Sequence, residues 1–195
     1  MNDKSSEKLE NGAGLSGLEA LIAQSKGKGL PPVHLWNPDY CGEIGMRIAR
    51  DGTWFYQNSP IGRKPLVRLF STVLRKDEDG VTYLVTPVEK ISIEVDDAPF
   101  LGVEMEVEGA GRDQVLTFRT NVDDVVRVGP DHPMRFEVEA GSGGLKPYIL
   151  VRGRLEALVT RALYYDLVEL AVTESEGKSE RFGIWSGGQF FEMAG

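Results

Sequence analysis

Between residues 81 and 138 the pattern turns to strands, with runs in which apolar side chains fall at every second position, and no other feature of this chain constrains its fold so tightly. Ile91, Ile93 and Val95 alternate with Ser92 and Glu94, and Val103, Met105 and Val107 alternate with Glu104 and Glu106. Successive side chains of a strand point to opposite faces, so this pattern builds strands with one buried and one wetted face. The predicted strands run over 81–86, 89–95, 100–108, 114–120 and 134–140. Such strands must lay their apolar side on a second layer, and the flanking sequence offers helices for it.

Before the alternating region, residues 46–50 and 53–57 read as two strands around Asp51-Gly52, the strongest local hairpin signal. Pro65 suits the first turn of a helix, and Leu66, Leu69, Phe70, Val73 and Leu74 follow the spacing of a buried helical face, closed by residues 77–80. An earlier helix is predicted from the capping-box spacing of Ser16 and Glu19, with Leu18, Leu21 and Ile22 on one face and Gly27-Lys28-Gly29 ending it. The glycine-rich run 141–144 reads as a flexible loop and a candidate boundary.

The last third repeats this plan. Strands over 148–152 and 155–159 meet at Gly153-Arg154, a helix follows over 161–172, and strands over 181–186 and 189–192 flank Gly187-Gly188. Adding 98 to a residue number carries Arg63 to Arg161, Leu69 to Leu167, Phe70 to Val168 and Leu84 to Phe182. The expected fold class is therefore α+β, two related strand–strand–helix–strand units from an internal duplication. The expected organisation is a disordered tail over 1–14, a helix and linker over 15–30, a first α+β unit over 31–100 and a second over 101–195.

Composition limits the function. The 195 residues are 41% hydrophobic, enough for a packed interior. The net charge of −8 argues against general nucleic-acid binding, which phosphate neutralisation dominates. No apolar run is long enough for membrane insertion, and the polar N-terminus lacks the pattern of a signal peptide. Cys41 is the single cysteine, which precludes an intrachain disulfide and fits a reducing cytoplasm. His34 and His132 are too few and too isolated for a metal site, so neither metal nor cofactor is expected. No G-x-S-x-G or phosphate-binding G-x-x-x-x-G-K-[ST] occurs, and catalytic residues are not assigned.

Candidate binding residues cluster early. The loop before Pro65 carries Arg63 and Lys64 to a helix start, whose unsatisfied N–H groups attract anions; Arg68 and Arg75 extend the basic stripe. The competing reading is an ordinary solvated helix face. Arg47 and Arg50 stand beside Trp54 and Tyr56 in the hairpin, where a guanidinium can stack on a base or clamp a phosphate; alternatively the tryptophan packs inside and the arginines meet carboxylates. Trp185-Ser186 before Gly187-Gly188 reads either as a ring and hydroxyl facing a cleft or as a buried ring before a tight turn. Asp96-Asp97 and Asp123-Asp124 read as turn or rim charges.

The block Trp36-Asn37-Pro38, Cys41-Gly42, residues 46–56, Ser59-Pro60-Ile61-Gly62-Arg63, residues 66–71, residues 84–90 and Asp96-Asp97-Ala98-Pro99-Phe100 resembles the bacterial domain of unknown function 1285 family. The likeness extends, more loosely, through Tyr148, Val151-Arg152, Leu155-Glu156-Ala157-Leu158, residues 164–171 and Trp185-Ser186-Gly187-Gly188; Gly45 departs from it, an Asp being expected there. The resemblance implies a duplicated α+β core with a pleckstrin-homology-like C-terminal half. It also implies a ligand site between the halves for a nucleotide-like molecule, and a role in signal transduction. Together these readings predict a non-enzymatic sensor binding a small anionic ligand through Arg47, Arg50, Trp54, Arg63, Lys64, Arg68, Trp185 and Ser186. The alternative is a protein–protein interaction domain without a small ligand, and the weakest reading is an enzyme of unknown reaction.

Overall fold

The alternating segments run as strands, and they assemble into sheets of one repeated design. The computed structural model describes residues 18–20, 22–23, 29–176 and 179–193. The chain is mixed α+β, mostly sheet, and divides into two compact units after Asp96.

In the first unit, residues 18–20 and 22–23 are helical and bury Leu18 and Ile22. Ser16 and Leu21 of the predicted cap and face lie outside the described residues. Then come β1 (Tyr40–Ile48), β2 (Trp54–Tyr56), β3 (Ser59–Pro60), helix α1 (Lys64–Ser71), β4 (Leu74–Lys76), β5 (Thr82–Val85) and β6 (Lys90–Val95). The sheet order is β3-β2-β1-β6-β5-β4. Two three-strand antiparallel meanders, β1–β3 and β4–β6, thus lie edge to edge, joined by the parallel pair β1 and β6. Asp51-Gly52 turns the first hairpin, with Met46 opposite Tyr56 and Ile48 opposite Trp54.

Helix α1 covers one face of this sheet. Its Leu66 and Phe70 are buried, and the Phe70 ring stacks on Trp54 at 6.4 Å. Met46, Ile48, Leu84 and Ile91 complete that apolar layer. The predicted helix is too long: Ser71 and Thr72 donate their hydroxyls to the carbonyls of Arg68 and Leu69, and the chain leaves the helix there. Leu74 opens β4 instead, which places Arg75 on a strand and residues 77–80 in the β4–β5 turn.

The second unit repeats the wiring. Its strands are β7 (Phe100–Glu108), β8 (Val115–Thr120), β9 (Val125–Arg127), β10 (Met134–Val138), β11 (Leu145–Arg152) and β12 (Leu155–Val159). They are ordered β10-β11-β12-β7-β8-β9. Again two antiparallel meanders join through their first and last strands, β7 and β12, which run parallel. Residues 141–144 are the turn of the β10–β11 hairpin, with Val138 opposite Leu145, and not a boundary. Helix α2 (Arg161–Leu170) follows, then β13 (Val172–Glu176), β14 (Ser179–Ser186) and β15 (Gln189–Glu192) in a three-stranded sheet.

A second correspondence sits within this one. The shift of 98 residues carries Lys64 to 162, Leu74 to 172, Thr82 to 180 and Lys90 to 188, beside the observed starts of α2, β13, β14 and β15 at 161, 172, 179 and 189. The helix–meander segment therefore occurs twice. In the first unit its last strand joins β1; in the second the corresponding place beside β12 is filled by β7, and the meander forms its own sheet.

Candidate functional site

The face of the first sheet opposite α1 carries a pocket of about 480 Å³. Its walls include Tyr40, Glu43 and Arg47 of β1, Phe55 of β2, the turn residues Gln57 and Asn58, Tyr83 of β5, and Ser92 and Glu94 of β6. Regular alternation could not bring Tyr40 to the face of Glu43 and Arg47, because it lies an odd number of residues, three and seven, from them. Strand β1 solves this with two irregularities. Tyr40 stands opposite Lys90, Glu43 opposite Ser92 and Arg47 opposite Glu94, so β1 spends extra residues at each step. Gly42 (φ 97°) and Gly45 (φ 65°) sit in those steps, in backbone conformations that favour glycine.

Aromatic and hydroxyl groups are tied together in this wall. The Tyr40 and Tyr83 rings meet edge to face at 6.2 Å, and the Tyr40 hydroxyl lies 2.9 Å from Ser92 Oγ. Tyr83 donates its hydroxyl to Asp79 at 2.7 Å, and that bond, with burial, pushes its pKa up to about 12. Lys90 Nζ lies 4.0 Å above the Tyr83 ring and pairs with Asp77 at 2.6 Å. At the opposite end, the Arg47 guanidinium lies 4.8 Å over Phe55 and pairs with Asp96 at 2.7 Å. The Gln57-Asn58 turn holds two non-glycine residues at positive φ, 47° and 63°.

Of the eight residues predicted from sequence, Arg47 lines this pocket. Trp54 is 1% exposed, stacked on Phe70, and its indole N–H finds no acceptor among the described residues. Its neighbour Phe55 takes the pocket face because strand side chains alternate. Lys64 and Arg68 are exposed residues of α1, on the other side of the sheet, and Arg63 before them is exposed and reaches Glu19 at 3.5 Å. Arg50 is exposed in the turn after β1. In the second unit, the Ser186 hydroxyl is fully buried; it donates to Val128 O and accepts from Leu116 N–H, which commits it to joining β14 to β8. Half-buried Trp185 donates to Glu174 at 2.8 Å under the Arg112 guanidinium. Ser186 is thus committed to the fold, while Trp185 is half-buried and not the fully buried ring of the alternative reading.

Sequence reasoning followed cations and missed most of this wall. The available signal was a pair of glycines three residues apart within a strand-like run, which marks bulges that re-aim side chains. It also read Asp97 as a rim charge, whereas that side chain is 6% exposed and pairs with Lys146 while accepting the Tyr148 hydroxyl. Among the described residues no group of three His, Cys, Asp or Glu side chains could hold a metal ion.

Two sheet-centred units of matching topology define a mixed α+β class of protein. Family models match the whole of that region: "Domain of unknown function (DUF1285), N-terminal domain" over residues 31–98 and "Protein of unknown function (DUF1285), C-terminal domain" over residues 99–193. The chain belongs to the DUF1285 family. It is similar to the crystal structure of a DUF1285 family protein from Silicibacter pomeroyi DSS-3, with 51% identity and a TM-score of 0.81, over 90% of this chain and 93% of that one. A DUF1285 family protein from Shewanella baltica OS155 shares the fold at 24% identity and a TM-score of 0.50, over 65% of this chain and 91% of that one. No curated protein matches.

Proposed function

We propose that this protein is a non-enzymatic binding module for a small, flat molecule, seated in the pocket of the first sheet. The observation that carries the reading is the pocket itself: about 480 Å³, walled by Tyr40, Phe55 and Tyr83, with Ser92, Gln57 and Asn58 offering hydrogen bonds. That volume falls within the range of small-molecule sites and suits a nucleotide-like ring system. The signalling role implied by the family resemblance is the use to which binding would be put. A pleckstrin-homology-like second unit belongs to the same proposal, supported by a largely antiparallel sheet followed by the helix α2. The single cysteine supports a reducing, cytoplasmic setting.

The test is a thermal-shift screen of the full chain against nucleotides, nucleosides and metabolites. A ligand of the folded state raises the melting temperature by mass action. The shift should vanish in Tyr40→Ala combined with Phe55→Ala and persist in Arg63→Ala combined with Arg68→Ala. The reverse pattern places the ligand at the helix start instead. No shift with any compound overturns the binding-module reading.

One observation favours a protein partner as the second reading. Of the ten residues of α2 only Leu167 is buried, while Tyr165 and Val168 are 54% and 37% exposed and three residues apart on one face. A partner using that face would survive the pocket substitutions and be lost in Tyr165→Ser combined with Val168→Ser.

A further inference from the structure

The pocket's charges point to one ligand class, an inference that rests on the binding-module reading above. Glu43 and Glu94 are exposed carboxylates in its wall. Among the described residues the cation lining that wall is Arg47, and it is already matched, its Nη1 lying 2.7 Å from Asp96 Oδ2. Lys90, whose Nζ lies 4.0 Å over the Tyr83 ring, is likewise matched, by Asp77 at 2.6 Å, so Glu43 and Glu94 leave the wall with uncompensated negative charge beside Tyr40, Phe55 and Tyr83. Aromatic faces attract cations, and carboxylates receive ammonium hydrogen bonds. A phosphate or carboxylate in the same place would face two like charges and would have to take Arg47 from Asp96. The net charge of −8 adds to that bias.

We propose that the first-unit pocket binds an amine: a compound with a flat apolar body against Tyr40, Phe55 and Tyr83 and a protonated nitrogen held between Glu43 and Glu94. This reverses the charge expected when the early arginines are read as the ligand's partners. Sequence order places those arginines near the pocket, but the sheet puts α1 on its far side.

The test uses three probes on the full chain: tryptamine, indole-3-acetate, which keeps the ring and inverts the charge, and adenosine monophosphate. Calorimetry should detect tryptamine and neither anion. Glu43→Gln combined with Glu94→Gln should weaken tryptamine about tenfold, the loss expected for removing directly facing charges. Both positions are exposed, so the variant keeps its fold. Glu169→Gln, an exposed position on α2, should leave binding unchanged. If Glu169→Gln weakens tryptamine as much as the loss of both pocket carboxylates does, the general field of an acidic protein explains binding and the proposal fails. If either anion binds, with amide resonances of β1 and β6 shifting, the amine assignment is overturned while the binding-module reading stands. If none of the three binds, the amine proposal fails by itself, and the wider screen decides the module.

Discussion

Arg75 shows how a single side chain can do more for the fold than its place in a charge pattern suggests. Read in sequence it extended a basic helical stripe; in the structure it is 16% exposed on β4 and spends its donors on Asp77 and on the carbonyls of Val33 and Trp36. It ties the segment before β1 to the sheet. Arg75→Ala should destabilise the first unit by about 3 kcal/mol, because Asp77 and two carbonyls lose a charged partner; urea unfolding measures this. Burial opposes ionisation of Asp77, but hydrogen bonds from Arg75 and Lys90 outweigh it and hold its pKa below the ordinary 3.8. A lowered folded pKa stabilises above the unfolded value and is lost as pH falls through the folded one, so stability should drop below about pH 4. Asp77→Asn should flatten that acid limb. Tyr83 behaves oppositely. Its pKa rises from 10.0 to about 12, so its contribution is complete below pH 10 and disappears between 10 and 12. Tyr83→Phe should remove that alkaline loss in a pH series of melting temperatures. At the Gln57-Asn58 turn, Gln57→Asn should stabilise by about 0.5–1 kcal/mol, since Asn tolerates positive φ better than Gln.

Elements were legible where local chemistry was strong. The Asp51-Gly52 hairpin, Pro65 in the first turn of α1, and β7 over Phe100–Glu108 all follow from turn residues or alternation. The missed elements are short. Strands β4 and β9 have three residues each, too few to display a period, and β13 was not predicted, its first residue, Val172, being read as the end of α2. Their partners across the sheet, not their own pattern, make them strands. The β14–β15 hairpin adds a steric requirement. A Cβ on Gly183 would meet the Phe190 ring at 2.7 Å and run into the Phe191 carbonyl oxygen. Gly183→Ala should therefore cost about 2–3 kcal/mol, the scale of overpacking, and show first as loss of amide protection in β14 and β15.

At the scale of the molecule, each unit builds its sheets from its own strands, so each holds the hydrogen-bond pairing it needs. A fragment of residues 97–193 should fold alone, with a sheet-type circular dichroism spectrum and a cooperative melt; a non-cooperative melt would show that its core is incomplete. Among the described residues no helix is long and apolar enough to cross a membrane. The repeated order of elements was visible at the 98-residue shift because helix and turn residues mark it. The closer likeness, two six-stranded sheets joined at their first and last strands, was invisible. Pairing between β1 and β6 or β7 and β12 joins residues far apart in the chain, and no local signal specifies it.

By itself the sequence determined the class of fold, most strand positions and the helix–meander repeat, because these depend on side-chain period and turn chemistry within a few residues. Tertiary structure decided which groups share a surface. Bulges at Gly42 and Gly45 turned Tyr40 and Glu43 toward Tyr83, Ser92 and Glu94, and the sheet separated Arg47 from Arg68 on α1. A site is a set of neighbours in space, and strand pairing at long range chooses those neighbours.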